Sequence, residues 1–327
     1  MLHTALTRSW GLRYPLIQAP MAGVSGGALA AAVSAAGGLG MLGAGSTTPA
    51  GWIAAEAARA RAGGRFGVGL MVWALARRPE LLDAVLAQRP FAVSLSFGDA
   101  APYVERVHAA GVLVLCQVQD AESAREAVAA GADALVAQGT EAGGHTGSVG
   151  TLPLLQRVLE IGAAAGLPVL AAGGLASGCG IAGVLAMGAA GVWIGTRFAA
   201  TTEALGTDGA KQAIVQANET QTVYTHVFDV VQELPWPEPF SGRALANAFT
   251  RRWHGHEQEL RANQTDVRAA FEAARVRGDL SETYVYAGQA AGLIDGIEPA
   301  AMLVERLMAE AEETLARTTA LLATEQP

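Results

Sequence analysis

Cysteine is scarce in this chain, with only Cys116 and Cys179 among 327 residues. That argues against a disulfide framework and fits a reducing compartment. Positive charge is scarce too: 22 Lys and Arg stand against 30 Asp and Glu, a net charge of −8. No global basic field exists to attract nucleic acid or an anionic membrane, so neither is expected as a partner. No apolar run is long and charge-free enough to span a bilayer. The opening Met1–Trp10 lacks a hydrophobic signal region, and the alanine-rich Ala28–Ala36 reads as a buried helix. A cytoplasmic protein is expected. His, Cys, Asp and Glu nowhere take metal-ligand spacing, so no metal is expected. No G-x-S-x-G elbow occurs either. Charged residues make up 16% and apolar ones 51%, a balance that excludes disorder.

Glycine, by contrast, is abundant at 40 residues, too many for a helical bundle and suited to many tight strand-helix turns. Short apolar strand candidates recur at Leu16–Ala19, Leu39–Leu42, Phe66–Leu70, Phe91–Leu95, Leu113–Gln117, Ala134–Gln138, Val169–Ala172 and Gly191–Ile194. Most are continuously apolar, as parallel strands buried on both faces are. Helical patterns fill the gaps at Gly27–Ala36, Pro49–Arg61, Pro79–Gln88, Pro102–Ala110, Ala121–Ala130, Thr151–Ala165 and Gly178–Met187, several opening on Pro and closing on Gly. Eight strand-helix units in series predict an α/β fold, a (β/α)8 TIM barrel, with a small, mostly helical second domain near its mouth. The expected division is a barrel over 1–203, a lid or substrate domain over 204–281, and a terminal segment over 282–327. Within these, a further helix is expected over Thr201–Ala217, a polar proline-punctuated stretch over Thr220–Phe240, and a charged helical one over Arg243–Gly278. A long amphipathic helix, Pro299–Leu322, would return to the barrel and leaves a homodimer open. Trp236, Trp253, His254 and His256 are read as packing or surface residues.

The most informative stretch is Gln138-Gly-Thr-Glu-Ala-Gly-Gly-His-Thr-Gly147, which puts His145 in a glycine-rich loop directly after a strand. Its glycines remove side chains that would shield the imidazole and let the backbone approach a ligand. Such a histidine can move a proton or hold an anion. Barrel sites lie at the carboxyl ends of the strands. Strand one there gives the small-residue turn Gln18-Ala-Pro-Met-Ala-Gly23, strand three ends at Gly69, strand five at Gln117 and strand six at Gln138. Strands seven and eight end in Gly173-Gly174 and Gly195-Thr196, each leading toward a helix start. Together they are expected to hold a phosphate on backbone N–H groups, the helix dipole and the Thr196 hydroxyl. Gly38-Leu-Gly-Met-Leu-Gly43 matches a dinucleotide fingerprint in form only, because its glycines lie inside a strand candidate. Cys179 reads as a small residue in a crowded turn, and Arg197 as reaching solvent or an acidic neighbour.

Taken together, Gln18–Gly23, Ala137–Gly147, Pro168–Leu175, Ile194–Phe198 and Tyr286-Ala-Gly-Gln-Ala-Ala-Gly292 resemble the nitronate monooxygenase family of FMN-dependent barrels. The resemblance implies that Met21 and Ala22 back the flavin ring. It implies further that Gln138, Gly143 and Gly144 contact the flavin, and that Gly173, Gly174, Gly195 and Thr196 hold its phosphate. His145 would be the catalytic residue, acting on a small-molecule substrate together with O2. Two flavin-site positions depart from the family: Gly69 stands where Asn is common, and Gln117 where Lys is common. These departures keep a rival open, an NAD(P)H-dependent flavin reductase acting on quinones or an enoyl thioester. A non-redox barrel binding a sugar phosphate or nucleotide would share the phosphate turns, yet has no need of the Ala-Pro-Met-Ala platform.

Overall fold

The computed structural model describes residues 2–319. Its centre is a barrel of eight parallel strands: β1 (Leu16–Gln18), β2 (Gly40–Gly43), β3 (Phe66–Met71), β4 (Ala92–Ser96), β5 (Leu113–Val118), β6 (Ala134–Gln138) and, past the short β7 (Gly144–Thr146), β8 (Val169–Ala172) and β9 (Gly191–Ile194). They pair in the order β1-β9-β8-β6-β5-β4-β3-β2. A parallel bridge between Ile17 and Leu39 closes the ring, with the Gln18 N–H donating to the Leu39 carbonyl at 3.0 Å. All eight expected strands are present, shifted by no more than a residue or so at their ends. The false dinucleotide fingerprint lies in and beside β2.

Both faces of the strands are covered, which explains their unbroken apolar runs. Ile17, Met41, Leu115, Val136, Leu170 and Trp193 fill the inside. The amino-terminal helix Ala5–Ser9, which sequence periodicity did not reveal, adds Leu6 to that cluster. Trp10 beside it meets Phe91 edge-on at 5.9 Å. Outside, Val68, Val93, Val114 and Leu135 pack against the helices. Glycine is required where a helix lies flush on a strand: a Cβ at Gly40 would overlap the backbone of Ala30.

Beyond β9 the chain builds a second, smaller sheet, β10 (Thr222–Thr225), β11 (Ser241–Leu245) and β7, in the antiparallel order β10-β11-β7. This corrects three expectations. The segment around His145 is partly a strand, because His145 pairs with Gly242 across β7 and β11. The stretch from Arg243 begins as strand and turns helical only at Ala248. The helix expected over Thr201–Ala217 covers only Asp208–Gln216, capped by the Thr207 hydroxyl. Helices Val227–Gln232, Ala248–Trp253, Glu257–Ala262 and Gln264–Arg277 enclose a core of Phe228, Phe249, Trp253 and Phe271.

The terminal helix Ala300–Thr319 lies on helices Gly178–Ala186 and Gly27–Ala35, and buries Leu303, Val304, Leu307 and Met308 in the main core. Residues 320–322 of the expected helix lie outside the described residues. Arg197 does not reach solvent. It is buried and pairs with Glu298, which also pairs with Arg306, tying the end of the barrel to this terminal segment.

A matched pair of glycines tests the packing argument. Gly40→Ala should destabilise by about 1–3 kcal/mol through overpacking. Gly51→Ala, an exposed helical site with open space at its Cβ, should stabilise by about 0.5–1 kcal/mol. Urea midpoints at unchanged m-value would read both.

Candidate active site

The mouth of the barrel is built from turns. After β1, Gln18 is buried. Its Oε1 accepts from the Met41 N–H at 3.0 Å and its Nε2 donates to the Ser25 hydroxyl at 2.8 Å. Ser25 Oγ accepts from the Met21 N–H at 3.0 Å and donates to the Ala19 carbonyl. These bonds fix Met21 half-buried and Ala22 exposed at the rim. Gly69 is not at the rim. It is buried beneath Pro20, whose ring occupies the place a Cβ would take. The space of an Asn at this position is therefore already filled.

Across the mouth, Gly173 and Gly174 adopt φ of 101° and 73°, a turn open to glycine and costly for other residues. The backbone N–H groups of Gly173, Gly174, Gly195 and Thr196 find no acceptor among the described residues. All four lie just past the ends of the neighbouring strands β8 and β9. Thr196 Oγ1 accepts from the Gly288 N–H at 3.0 Å, so its own O–H remains free to donate. Unsatisfied donors at adjacent strand ends fit a phosphate group. The helix dipole contributes less than expected: Gly178 N–H, at the start of helix Gly178–Ala186, already donates to the Glu310 carboxylate at 3.1 Å. The segment after β9 is a single turn, Thr196–Ala199.

The His145 loop is held from all sides. Gln138 Nε2 donates to the His145 carbonyl at 3.0 Å, while its Oε1 accepts from Gln117 at 3.0 Å and Gln119 at 2.9 Å. Where the family commonly has Lys, Gln117 thus helps to set Gln138. Arg243 Nε donates to the Thr140 carbonyl at 2.7 Å, and Glu141 caps helix Thr151–Ala165 through the Thr151 N–H and hydroxyl. Gly143 meets the backbone of Ala287 and Gly288 so closely that a side chain there would collide with it. The glycine at that position is explained by this crossing.

His145 is buried, 8% exposed, which overturns the expectation of an unshielded imidazole. The glycines remove local cover, but distant residues supply it. Asp229, from helix Val227–Gln232, places both carboxylate oxygens 2.9–3.0 Å from His145 Nε2. Trp236 lies flat on the ring, centroids 3.4 Å apart and planes within 5°. Tyr286 approaches at 5.6 Å, and burial together with the Asp229 charge pushes its phenol well above the usual range. Trp236 is therefore not a plain packing residue: it reaches from the loop between helix Val227–Gln232 and β11 to cover His145. Trp73 and Phe97, from the ends of β3 and β4, pack on it at 5.1 and 5.0 Å. Trp253 is core, whereas His254 and His256 are exposed, as read from the sequence.

The model of the nitronate monooxygenase family matches residues 3–73 and 75–310. The chain belongs to the nitronate monooxygenase family. It is 32% identical to a methyl-oxo-octahydroindene carboxyl-CoA dehydrogenase of Mycobacterium tuberculosis, over 98% of this chain and 99% of that protein. Among solved structures it is similar to nitroalkane oxidase from Streptomyces ansochromogenes, with 34% identity and a TM-score of 0.80 over 97% of this chain and all of the other. It is also similar to FabK from Thermotoga maritima, with 30% identity and a TM-score of 0.85 over 98% and 100%. These relatives agree on an oxidoreductase carried by a TIM barrel. No helix among the described residues is long and apolar enough to cross a membrane.

Of the positions read as family-like, Met21, Ala22, Gly173, Gly174, Gly195 and Thr196 gather at the mouth, while Gln117, Gln138, Gly143 and Gly144 support the His145 strand. Asp229, Trp236, Phe97 and Trp73 were missed because they lie up to 91 positions from His145 and share no local motif with it. Phe97 carried one signal only the backbone shows, a left-handed φ of 63° in a bulky residue, the kind of strain that collects at sites. The two thiols separate cleanly: Cys179 is exposed, while burial first and then the Asp133 charge push Cys116 up to about 12. At pH 8 a thiol reagent should titrate one cysteine per native chain and two after unfolding.

Proposed function

We propose that this enzyme oxidises alkyl nitronates, and the nitroalkanes that give rise to them, with O2 to a carbonyl compound and nitrite, using FMN held at the barrel mouth. The observation that carries this reading is the buried Asp229–His145 pair at the loop after β6, beside which β8 and β9 end in four N–H groups without an acceptor among the described residues. FMN, when bound, supplies the electron transfer to O2. Its phosphate would be held by Gly173, Gly174, Gly195 and Thr196, and its ring backed by Met21 and Ala22.

The protein's own contribution is proton placement. A carboxylate accepting from Nε2–H keeps the proton of the neutral imidazole on Nε2 and leaves a lone pair on Nδ1. Nδ1 has no hydrogen-bond partner among the described residues. It takes the α-proton of a neutral nitroalkane, and the N–H so formed then donates to the nitronate oxygens. Asp229, 5% exposed, balances the charge this creates. It acts as a positioning residue, through His145.

A second reading, an NAD(P)H-dependent reductase of quinones or enoyl thioesters, is kept alive by the CoA dehydrogenase and FabK relatives.

His145→Asn should keep fold and flavin but lose at least about 100-fold in turnover of neutral nitroalkane, the scale of one general base. Preformed nitronate should suffer far less. Asp229→Asn should cost at least about 10-fold with nitroalkane by unsettling the tautomer. Steady-state rates with both substrate forms decide it, and unchanged nitroalkane rates in His145→Asn would remove that residue from the mechanism.

A further inference from the structure

Trp236 and His145 leave no room between them. At 3.4 Å the two rings are in van der Waals contact, so no substrate atom can lie on that face of the imidazole while the indole is in place. The indole is braced on its barrel side by Trp73 and Phe97, and Phe97 in turn carries Phe240 at 5.2 Å. Its own segment is Pro235-Trp-Pro-Glu-Pro239, where three prolines with fixed φ present the ring on a stiff strap.

Trp236 also lines a cavity of about 730 Å³, where the apolar Val230, Leu234, Pro235 and Phe240 stand beside the carboxylates of Asp229, Glu233, Glu238 and Glu257. That volume is enough for a drug-sized molecule. His145 does not line it. The indole and the Asp229 carboxylate therefore stand between the imidazole and the cavity.

We propose that Trp236 is the residue that sets substrate size: its indole confines the space at His145 to short aliphatic chains and closes off a cavity that would accept longer ones. This rests on the reading of His145 as the proton-transfer residue. Removing the indole joins the cavity to the site, and the apolar Leu234, Pro235 and Phe240 then become the wall met by a longer chain. Phenylalanine at the same position still supplies a ring to cover the imidazole.

The test compares wild type, Trp236→Ala and Trp236→Phe, each loaded with flavin, on ethyl and octyl nitronate. Diethyl pyrocarbonate labelling of His145, read by peptide mass, runs in parallel. Trp236→Ala should raise the octyl-to-ethyl ratio of kcat/KM at least about tenfold, a scale within what a hydrophobic pocket discriminates. It should also speed His145 labelling by a similar factor, while Trp236→Phe stays close to wild type in both. An unchanged chain-length ratio in Trp236→Ala, with His145 labelled faster, overturns the proposal. So does unchanged labelling, which would mean that the indole does not shield the ring. If none of the three proteins consumes any nitronate, the substrate reading fails instead, and the labelling rates alone decide whether Trp236 is the wall.

Discussion

A buried imidazole needs a partner, and the rest of the upper structure is arranged around the one His145 has. Leaving a polar ring nitrogen unpaired inside protein costs about 1–3 kcal/mol. Asp229 meets that need from 84 residues away. To bring the carboxylate there, the chain after β9 builds β10 and β11, and seats helix Val227–Gln232 with Val227, Phe228, Val230 and Val231 all buried. Strand β11 pairs directly with β7, so the sheet that carries Asp229's neighbourhood also fixes the backbone of His145. Gly242 lies opposite His145 without a side chain because the Tyr286 ring fills that place, 2.7 Å from where a Cβ would stand. Breaking the carboxylate contact would leave a buried group without its partner, whereas trimming a surface ion pair such as Arg157–Glu160 would change little.

The electrostatics divide the mouth into two regions. On the β8–β9 side the donors are neutral backbone N–H groups, which suit an anionic group and carry no counter-charge of their own. On the far side of Trp236 the cavity has a mixed lining, the carboxylates of Asp229, Glu233, Glu238 and Glu257 beside the apolar Val230, Leu234, Pro235 and Phe240. Arg243 is spent on the Thr140 carbonyl and so shapes the His145 loop.

The barrel was legible in the sequence because parallel strands buried on both faces leave continuous apolar runs, and because Gly131 and Gly166 end their helices in the left-handed conformation that glycine tolerates. The mouth turns were legible for the same local reason. The cover over His145 was not. Glycines flanking a residue report only that its immediate neighbours have no side chains, whereas burial is decided by whatever folds back from elsewhere. Asp229 sits in an otherwise apolar run, Val227-Phe-Asp-Val-Val231, where a lone charge has no local explanation. That contradiction was the available signal. Trp236, between prolines, reads as a packing or surface residue, whereas its indole stacks on the imidazole. The resemblance implies that Gln138 contacts the flavin; the sequence did not show that its amide also holds the His145 carbonyl and two other glutamines.

The central claim is that this mouth turns over a nitronate without help from a nicotinamide. The most direct measurement is oxygen uptake by the FMN-loaded enzyme given an alkyl nitronate, with no NADH or NADPH present. The account predicts rapid uptake with nitrite released in step. No uptake from folded, yellow protein, followed by oxidation of NAD(P)H when it is supplied, would contradict it and assign the site to a reductase.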